Sequence, residues 1–262
     1  MSGYIGLLIG LVSLVMGFLL EGGHLGSLLQ PTAGLIVFGG TIGAVMVSYP
    51  GEQLKNFIKA INIAFKPKKG NNVELIKYFK EMSIKTRKNG LLSIEEEIEK
   101  STDVDPFVVK GMKMVIDGTE PEILKNALEL QLENMVERHK ANAAMFESAG
   151  GFAPTMGIIG TVLGLVHILG SLDGDPGQLA PKIATAFIAT LYGVASANVL
   201  WLPIATKLKE INKKEIAEKL LIIEGITLIQ SGTNPNIIEE QLKGFLDKQE
   251  IEAYTKIAGG IE

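Results

Sequence analysis

The chain has 262 residues, a net charge of −4 and 21% charged residues, close to the soluble average, yet its mean hydropathy is positive. It contains no cysteine, which excludes disulfides, thiolate metal sites and a cysteine nucleophile, and its near-neutral balance gives no case for nucleic acid. The apolar residues are instead concentrated: between Glu21 and Glu52 there is no charge except the neutral-leaning His24, and 148–172 and 183–206 carry none.

Taken in order, Tyr4–Leu20 (YIGLLIGLVSLVMGFLL) is 17 residues of apolar sequence and predicts a first membrane helix over 4–20. It lacks a basic leader and no small-x-small cleavage site follows it, so it reads as an uncleaved anchor. The short segment EGGHLGSLLQ leads to a second span over 31–49. A stretch of nearly one hundred residues then reads as helical. ELIKYFKEMSIKTRK (74–88) places Leu75, Tyr78, Phe79 and Met82 three and four apart, and Asn89-Gly90 ends that helix. Ser93 with Glu96 has the spacing of a capping box for a short acidic helix. Asp105-Pro106 opens another helix, closed by Gly118. A long one starts near Pro121, carries Leu124, Leu128, Leu130, Leu132 and Met135, and runs toward a third span over 150–171. SLDGDPGQLAPK joins it to a fourth span over 183–205. The tail predicts a helix over about 204–231, a break at SGTNPN, and a second helix over 236–254. No alternating strand pattern stands out.

The fold class is therefore an all-α integral membrane protein with four transmembrane helices. A helical domain is inserted between the second and third, and a helical tail follows the fourth. The predicted division is 1–50 (spans one and two), 51–147 (inserted domain), 148–206 (spans three and four) and 207–262 (tail). Every Lys and Arg except Lys182 lies in 51–147 or 207–262, several of them close to the span ends, such as Lys55, Lys59, Arg138, Lys207 and Lys209. The positive-inside rule then places both long segments and both termini in the cytoplasm of a multi-pass inner-membrane protein.

The third span, GGFAPTMGIIGTVLGLVHILGS, holds a Pro-Thr pair at its start, Pro154 and Thr155, and small residues at Gly157, Gly160 and Gly164. The fourth is thin on more than one face, with Ala184, Ala186, Ala189, Gly193, Ala195 and Ala197. Close approach through small residues is a main source of helix association where no water drives it, so these glycines predict a face for a partner helix or the next subunit. Trp201 and Pro203 mark the predicted cytoplasmic interface of the fourth span. No span contains a carboxylate, ammonium or guanidinium; His167 is the one imidazole, read as a packing residue before a proton carrier. The hydroxyls are Thr155 and Thr161 in the third span and Thr185, Thr190 and Ser196 in the fourth, joined there by the amide of Asn198. Each has two readings: a bond back to its own helix carbonyl, or presentation to an ion or a partner carboxyl. Pro154 adds to the second reading for Thr155, because proline frees a carbonyl one turn back.

Taken together, these residues resemble the MotA family of flagellar motor stator subunits, over nearly the whole chain. TRKNGLLSIEEE (86–97) is similar to the family's charged cytoplasmic segment, FAPTMGIIGTVLG (152–164) to its third-span motif and AFIATLYG (186–193) to its fourth. The resemblance implies that Pro154, Thr155 and Thr190 line an ion path beside a partner Asp, and that Arg87 and Glu95 engage the rotor protein FliG. It makes Pro154 and Pro203 conformational prolines. It implies five subunits around two copies of a MotB-type single-span partner, which brings the protonatable Asp and a peptidoglycan anchor. It implies H+ or Na+ as the transported ion, with no cofactor, metal or catalytic residue. The competing readings are a TolQ/ExbB-type energiser, which typically has three spans and no use for 86–97, an enzyme, for which no nucleophile, phosphate loop or metal spacing is visible, and a plain membrane scaffold.

Overall fold

The computed structural model describes residues 2–67, 70–100, 104–170 and 179–258, apart from the side chains of Ser2, Lys100, Ala180, Ile257 and Ala258. The described residues are almost wholly helical. They form α1 (Ser2–Leu20), α2 (Leu25–Leu28), α3 (Pro31–Gly34), a π turn (Leu35–Gly39), α4 (Gly40–Ser48), α5 (Gly51–Leu54) and α6 (Phe57–Phe65). Next come α7 (Asn72–Asn89), a 3₁₀ turn (Leu91–Ile94), α8 (Glu95–Lys100), α9 (Pro106–Ile116) and α10 (Pro121–Leu169). The chain ends with α11 (Leu179–Ser196), a second π turn (Ala197–Trp201), α12 (Leu202–Gln230), α13 (Pro235–Lys243) and α14 (Lys248–Ala258). Among the described residues four stretches are long and apolar enough to cross a membrane: Gly3–Leu20, Leu25–Ser48, a window in Pro121–Leu169 and a window in Pro181–Gln230. The linker over 171–178 lies outside the described residues.

The chain divides into two compact units, 1–68 with 139–211 and 69–138 with 212–262. This differs from the sequence division at 51–147 and 207–262. Residues 51–65 and 139–147 belong with the spans for a packing reason. Phe57 stacks on Phe146 with ring centroids 4.4 Å apart, and Ala60, Ala64, Ala143 and Phe146 are buried in one cluster with Ala149, Ala153 and Trp201. Tyr49 donates to the Ala144 carbonyl at 2.9 Å and lies 2.7 Å from Ser148 Oγ, and Gln53 donates to the Ala141 carbonyl at 2.7 Å.

In this first unit α1 is apolar all round and buries none of its described side chains, as a lipid-facing helix does. The second span buries Ala33, Val37, Thr41 and Val45, a strict four-residue spacing. Steps of four overshoot a 3.6-residue turn by roughly 40° each. The wider π turn over Leu35–Gly39 takes up that overshoot and keeps the stripe on one face. The fourth span repeats the device: Ala189, Gly193, Ala197 and Trp201 are also four apart, and the π turn lies over the last five residues. That turn also gives room to Pro203, which lacks the N–H of a regular helix and whose ring would crowd the preceding turn. Trp201, expected at a lipid interface, is 7% exposed in the core beside Phe57. The expectation fails because an aromatic ring fills the space that the neighbouring alanines leave.

The second unit is a water-type core. Ile76, Phe79 and Met82 of α7, Ile94 and Ile98, Met112 of α9, Leu124 and Leu128 of α10, Leu221, Ile222 and Ile226 of α12, and Ile238 and Leu242 of α13 are all fully buried. Each such side chain is worth about 1.5–3 kcal/mol of transfer free energy. The tail beyond 212 thus shares a core with 69–138 instead of standing alone. Leu130, grouped by sequence with the buried leucines of α10, is exposed because it falls off their face.

Helix ends follow local chemistry. Asp105 caps α9 by accepting the Phe107 N–H at 2.8 Å, and its second oxygen takes the buried Lys219 ammonium at 2.6 Å. Gly90, Gly118 and Gly232 end helices with φ of +85°, +72° and +66°. Ser93 does not form the expected capping box; its hydroxyl donates to the Gly90 carbonyl at 2.6 Å, because 91–94 winds as a 3₁₀ turn. The predicted helix 236–254 is two helices. A true capping box starts the second: Asp247 Oδ1 accepts from the Glu250 N–H at 2.8 Å and Glu250 Oε2 from the Asp247 N–H at 2.9 Å.

Candidate functional site

The third and fourth spans meet through missing side chains. A Cβ on Gly157 would lie 2.8 Å from the Ala189 carbonyl oxygen and 3.1–3.2 Å from Thr190 and Gly193 Cα. One on Gly193 would lie 2.5 Å from the Ala153 oxygen. Gly160 faces Ala189 Cβ and Gly164 faces Ala186 Cβ at 2.7 and 2.9 Å in the same sense. Gly157, Gly160 and Gly164 therefore pack α10 against α11 of the same chain. The expectation of a partner or neighbouring subunit on this face is corrected: the alanines and glycine of the fourth span already fill it.

That close approach brings two hydroxyls together. Thr161 Oγ1 and Thr190 Oγ1 are 2.6 Å apart. Thr161 also lies 3.1 Å from the Gly157 carbonyl and 3.1 Å from the Ala186 carbonyl, while Thr190 is 3.5 Å from the Gly157 carbonyl. Each hydroxyl has one hydrogen and two lone pairs. The shorter distances are met when Thr190 donates to Thr161 and Thr161 donates to a carbonyl. Thr190 is half-buried, so its oxygen keeps accepting capacity toward one side of the span. Thr161 joins the site although the sequence points to Thr155 and Thr190; its signal is its position four residues after Gly157, on the glycine face.

Pro154 does not start a helix, as its sequence position suggested; it sits inside the 49-residue α10, which runs through it. Thr155 is exposed, and its hydroxyl donates to the Phe152 carbonyl at 2.7 Å, leaving its lone pairs outward. Thr185, Ser196 and Asn198 likewise bond back to Pro181, Gly193 and Val194 carbonyls. Structure thus joins Thr190 to Thr161 and leaves Thr155 on an exposed face. Pro203 is the second residue of α12, exposed and directly after the π turn. His167 is exposed near the end of α10.

Arg87 and Glu95 are exposed on either side of Gly90, in the second unit. Arg87 closes α7, where a cation suits the helix dipole, and Glu95 opens α8, where an anion does. Lys85 bridges to both oxygens of Glu97 at 2.8 and 2.7 Å across the turn. Farther along the same unit, burial pushes the Tyr78 hydroxyl up to about 12, with Glu97 adding to it. Among the described residues no cluster of His, Cys, Asp or Glu could hold a metal ion.

Residues 4–90 match the family described as Motility protein A N-terminal, and residues 99–220 match the MotA/TolQ/ExbB proton channel family. Motility protein A of Bacillus subtilis (strain 168) is 37% identical over 244 residues, covering 92% of this chain and 89% of that protein. Chemotaxis protein PomA of Vibrio alginolyticus is 34% identical over 244 residues, covering 93% and 94%. The fold is similar to the flagellar MotAB stator complex from Bacillus subtilis, with a TM-score of 0.89, 34% identity and 97% and 99% of the two chains covered. It is similar also to MotAB of C. jejuni, with a TM-score of 0.89, 31% identity and 94% and 96% covered. With four spans, a shared helical core and relatives of this kind along nearly its whole length, the chain belongs to the MotA/TolQ/ExbB proton channel family.

Proposed function

We propose that this chain is the ion-conducting stator subunit of a bacterial flagellar motor. Five copies surround two copies of a MotB-type partner whose single span carries a protonatable Asp and whose outer part grips peptidoglycan. H+ or Na+ passes along the partner's Asp and drives torque on the rotor protein FliG. The termini and the 69–138 helices face the cytoplasm, as the basic flanks of the spans favour. The match of residues 4–90 to the motility protein A N-terminal family favours this over a TolQ/ExbB-type energiser.

The observation that carries the reading is a pair of spans with hydroxyl oxygens but no carboxylate. An exposed Thr155 and a half-buried Thr190, each with spare lone pairs, suit a protonated carboxyl as donor or a cation as ligand. The titrating group must come from elsewhere. Pro154 holds the Gly150 carbonyl free of its helix bond, adding an oxygen on the same helix, and Pro203 with its π turn offers a place for the fourth span to bend. Arg87 and Glu95 meet rotor charges of opposite sign, which contributes on-rate and register more than affinity.

Thr155→Val tests the path. It is expected to stop ion flow and swimming while the complex still assembles in the membrane, and a motile variant refutes the assignment. Swimming speed against external sodium at fixed pH, with a proton uncoupler as control, identifies the ion.

A further inference from the structure

Among the described residues of the second unit, Leu92 is the most exposed large apolar side chain, at 71%. Its turn is tightly braced. Gly90, at φ +85°, ends α7 with its N–H on the Thr86 carbonyl at 2.8 Å. The Gly90 carbonyl in turn accepts the Ser93 N–H at 3.2 Å and the Ser93 hydroxyl at 2.6 Å. The Lys85–Glu97 bridge closes the base of the turn. In a 3₁₀ turn, residues three apart eclipse. Leu91 and Ile94 therefore face the core, while Leu92 shares the outward face with Glu95. Arg87, one turn before Gly90, is exposed on the other side. Among the described residues neither Arg87 nor Glu95 has an ion-pair partner.

An apolar side chain held out by a rigid turn, between an unpaired cation and an unpaired anion, has the layout of an interface anchor with a polar rim. We infer that Leu92 is the apolar anchor of the rotor contact, seating in a socket of the rotor-side protein that presents an acidic group toward Arg87 and a basic group toward Glu95. This rests on the rotor-facing reading above. The mixed signs favour a protein over a membrane surface, because Glu95, Glu96, Glu97 and Glu99 would be repelled by an anionic leaflet. The charges set the rate of encounter, and the anchor sets how long the contact lasts.

The test uses fluorescently tagged stators in live motors, scoring recruitment and residence time separately, with membrane level and complex mass as controls. Leu92→Ser is expected to shorten residence about tenfold at unchanged membrane level, and Leu92→Met to restore it to within about twofold. Parental residence for Leu92→Ser, while Arg87→Glu with Glu95→Lys still lowers recruitment, overturns the anchor and leaves the rotor reading standing. Unchanged recruitment in the charge-reversed pair overturns the rotor reading and the anchor with it. A changed complex mass for Leu92→Ser assigns the side chain to a contact between copies and overturns the inference.

Discussion

Gly157→Ala isolates the contact between the third and fourth spans. The new methyl would sit 2.8 Å from the Ala189 carbonyl oxygen and 3.1 Å from Thr190 Cα, both backbone atoms that cannot swing aside. The two helices must separate by several tenths of an ångström. That strains the pairing of Thr161 with Thr190, now 2.6 Å, and weakens the 3.1 Å approach of Thr161 to the Ala186 carbonyl. Overpacking costs about 1–3 kcal/mol. A lost hydrogen bond between membrane helices adds about 0.6 kcal/mol. Alanine returns up to about 1 kcal/mol in helix propensity. The expected net loss is about 1–3 kcal/mol. The assay is unfolding of the purified protein in mixed detergent–lipid micelles, read against Gly43→Ala, where an added Cβ meets nothing within 4 Å. Gly43→Ala is expected to be neutral or slightly stabilising. Equal stability of the two variants refutes the claim that backbone contact at Gly157 holds the spans together.

Lys219→Ala removes a cation that is 7% exposed and leaves the cap residue Asp105 without its ion partner; a loss of about 2–4 kcal/mol is expected in thermal unfolding, against less than about 1 kcal/mol for Lys85→Ala at its exposed pair. Burial alone would raise the Glu239 carboxyl, but hydrogen bonds from Lys80, Tyr254 and Lys243 outweigh it and hold the group at about 2, below its ordinary 4.5. Its folded value lies below its unfolded one, so the stabilisation is fully present above about pH 5 and fades as pH falls toward 2; unfolding followed over that range should lose this acid dependence in Glu239→Gln. Gly90→Ala forces a side chain into φ +85° and ψ 166°, which is expected to destabilise the protein by about 1–3 kcal/mol in the same unfolding measurement.

The spans were legible because lipid demands long uncharged helices, and the cap residues Gly90, Asp105 and Gly118 were legible because their chemistry is local. What escaped the sequence depends on long-range packing. The glycine stripe announced a close approach, but the identity of the approaching helix depends on how α10 and α11 cross. The sequence singles out Thr190 and not Thr161, its hydrogen-bonding neighbour, because hydroxyls 29 residues apart meet only once Gly157 and Gly193 let the backbones touch. Trp201 is hidden in the core because an aromatic near a span end fits a lipid interface and a protein core equally well. The break before Asp247 is masked in the sequence, despite its capping-box residues, because the apolar spacing carries on through Phe245 and Leu246.

The two π turns make the membrane faces tolerant of chain length in one place each. Removing a single residue within Leu35–Gly39 would let the second span relax to plain α geometry while everything beyond it stays within roughly 20° of its present face relative to Ala33. Thr41, now 1% exposed with its hydroxyl unpartnered, and Val45 would keep their places in the core. A one-residue deletion elsewhere in the span has no such wide turn to absorb it and would turn everything beyond it by roughly 100°. A gap at 35–39 between relatives of this helix therefore leaves the buried stripe in phase. Spacing between small residues on either side of that point, rather than residue identity alone, records which side of the helix faces protein.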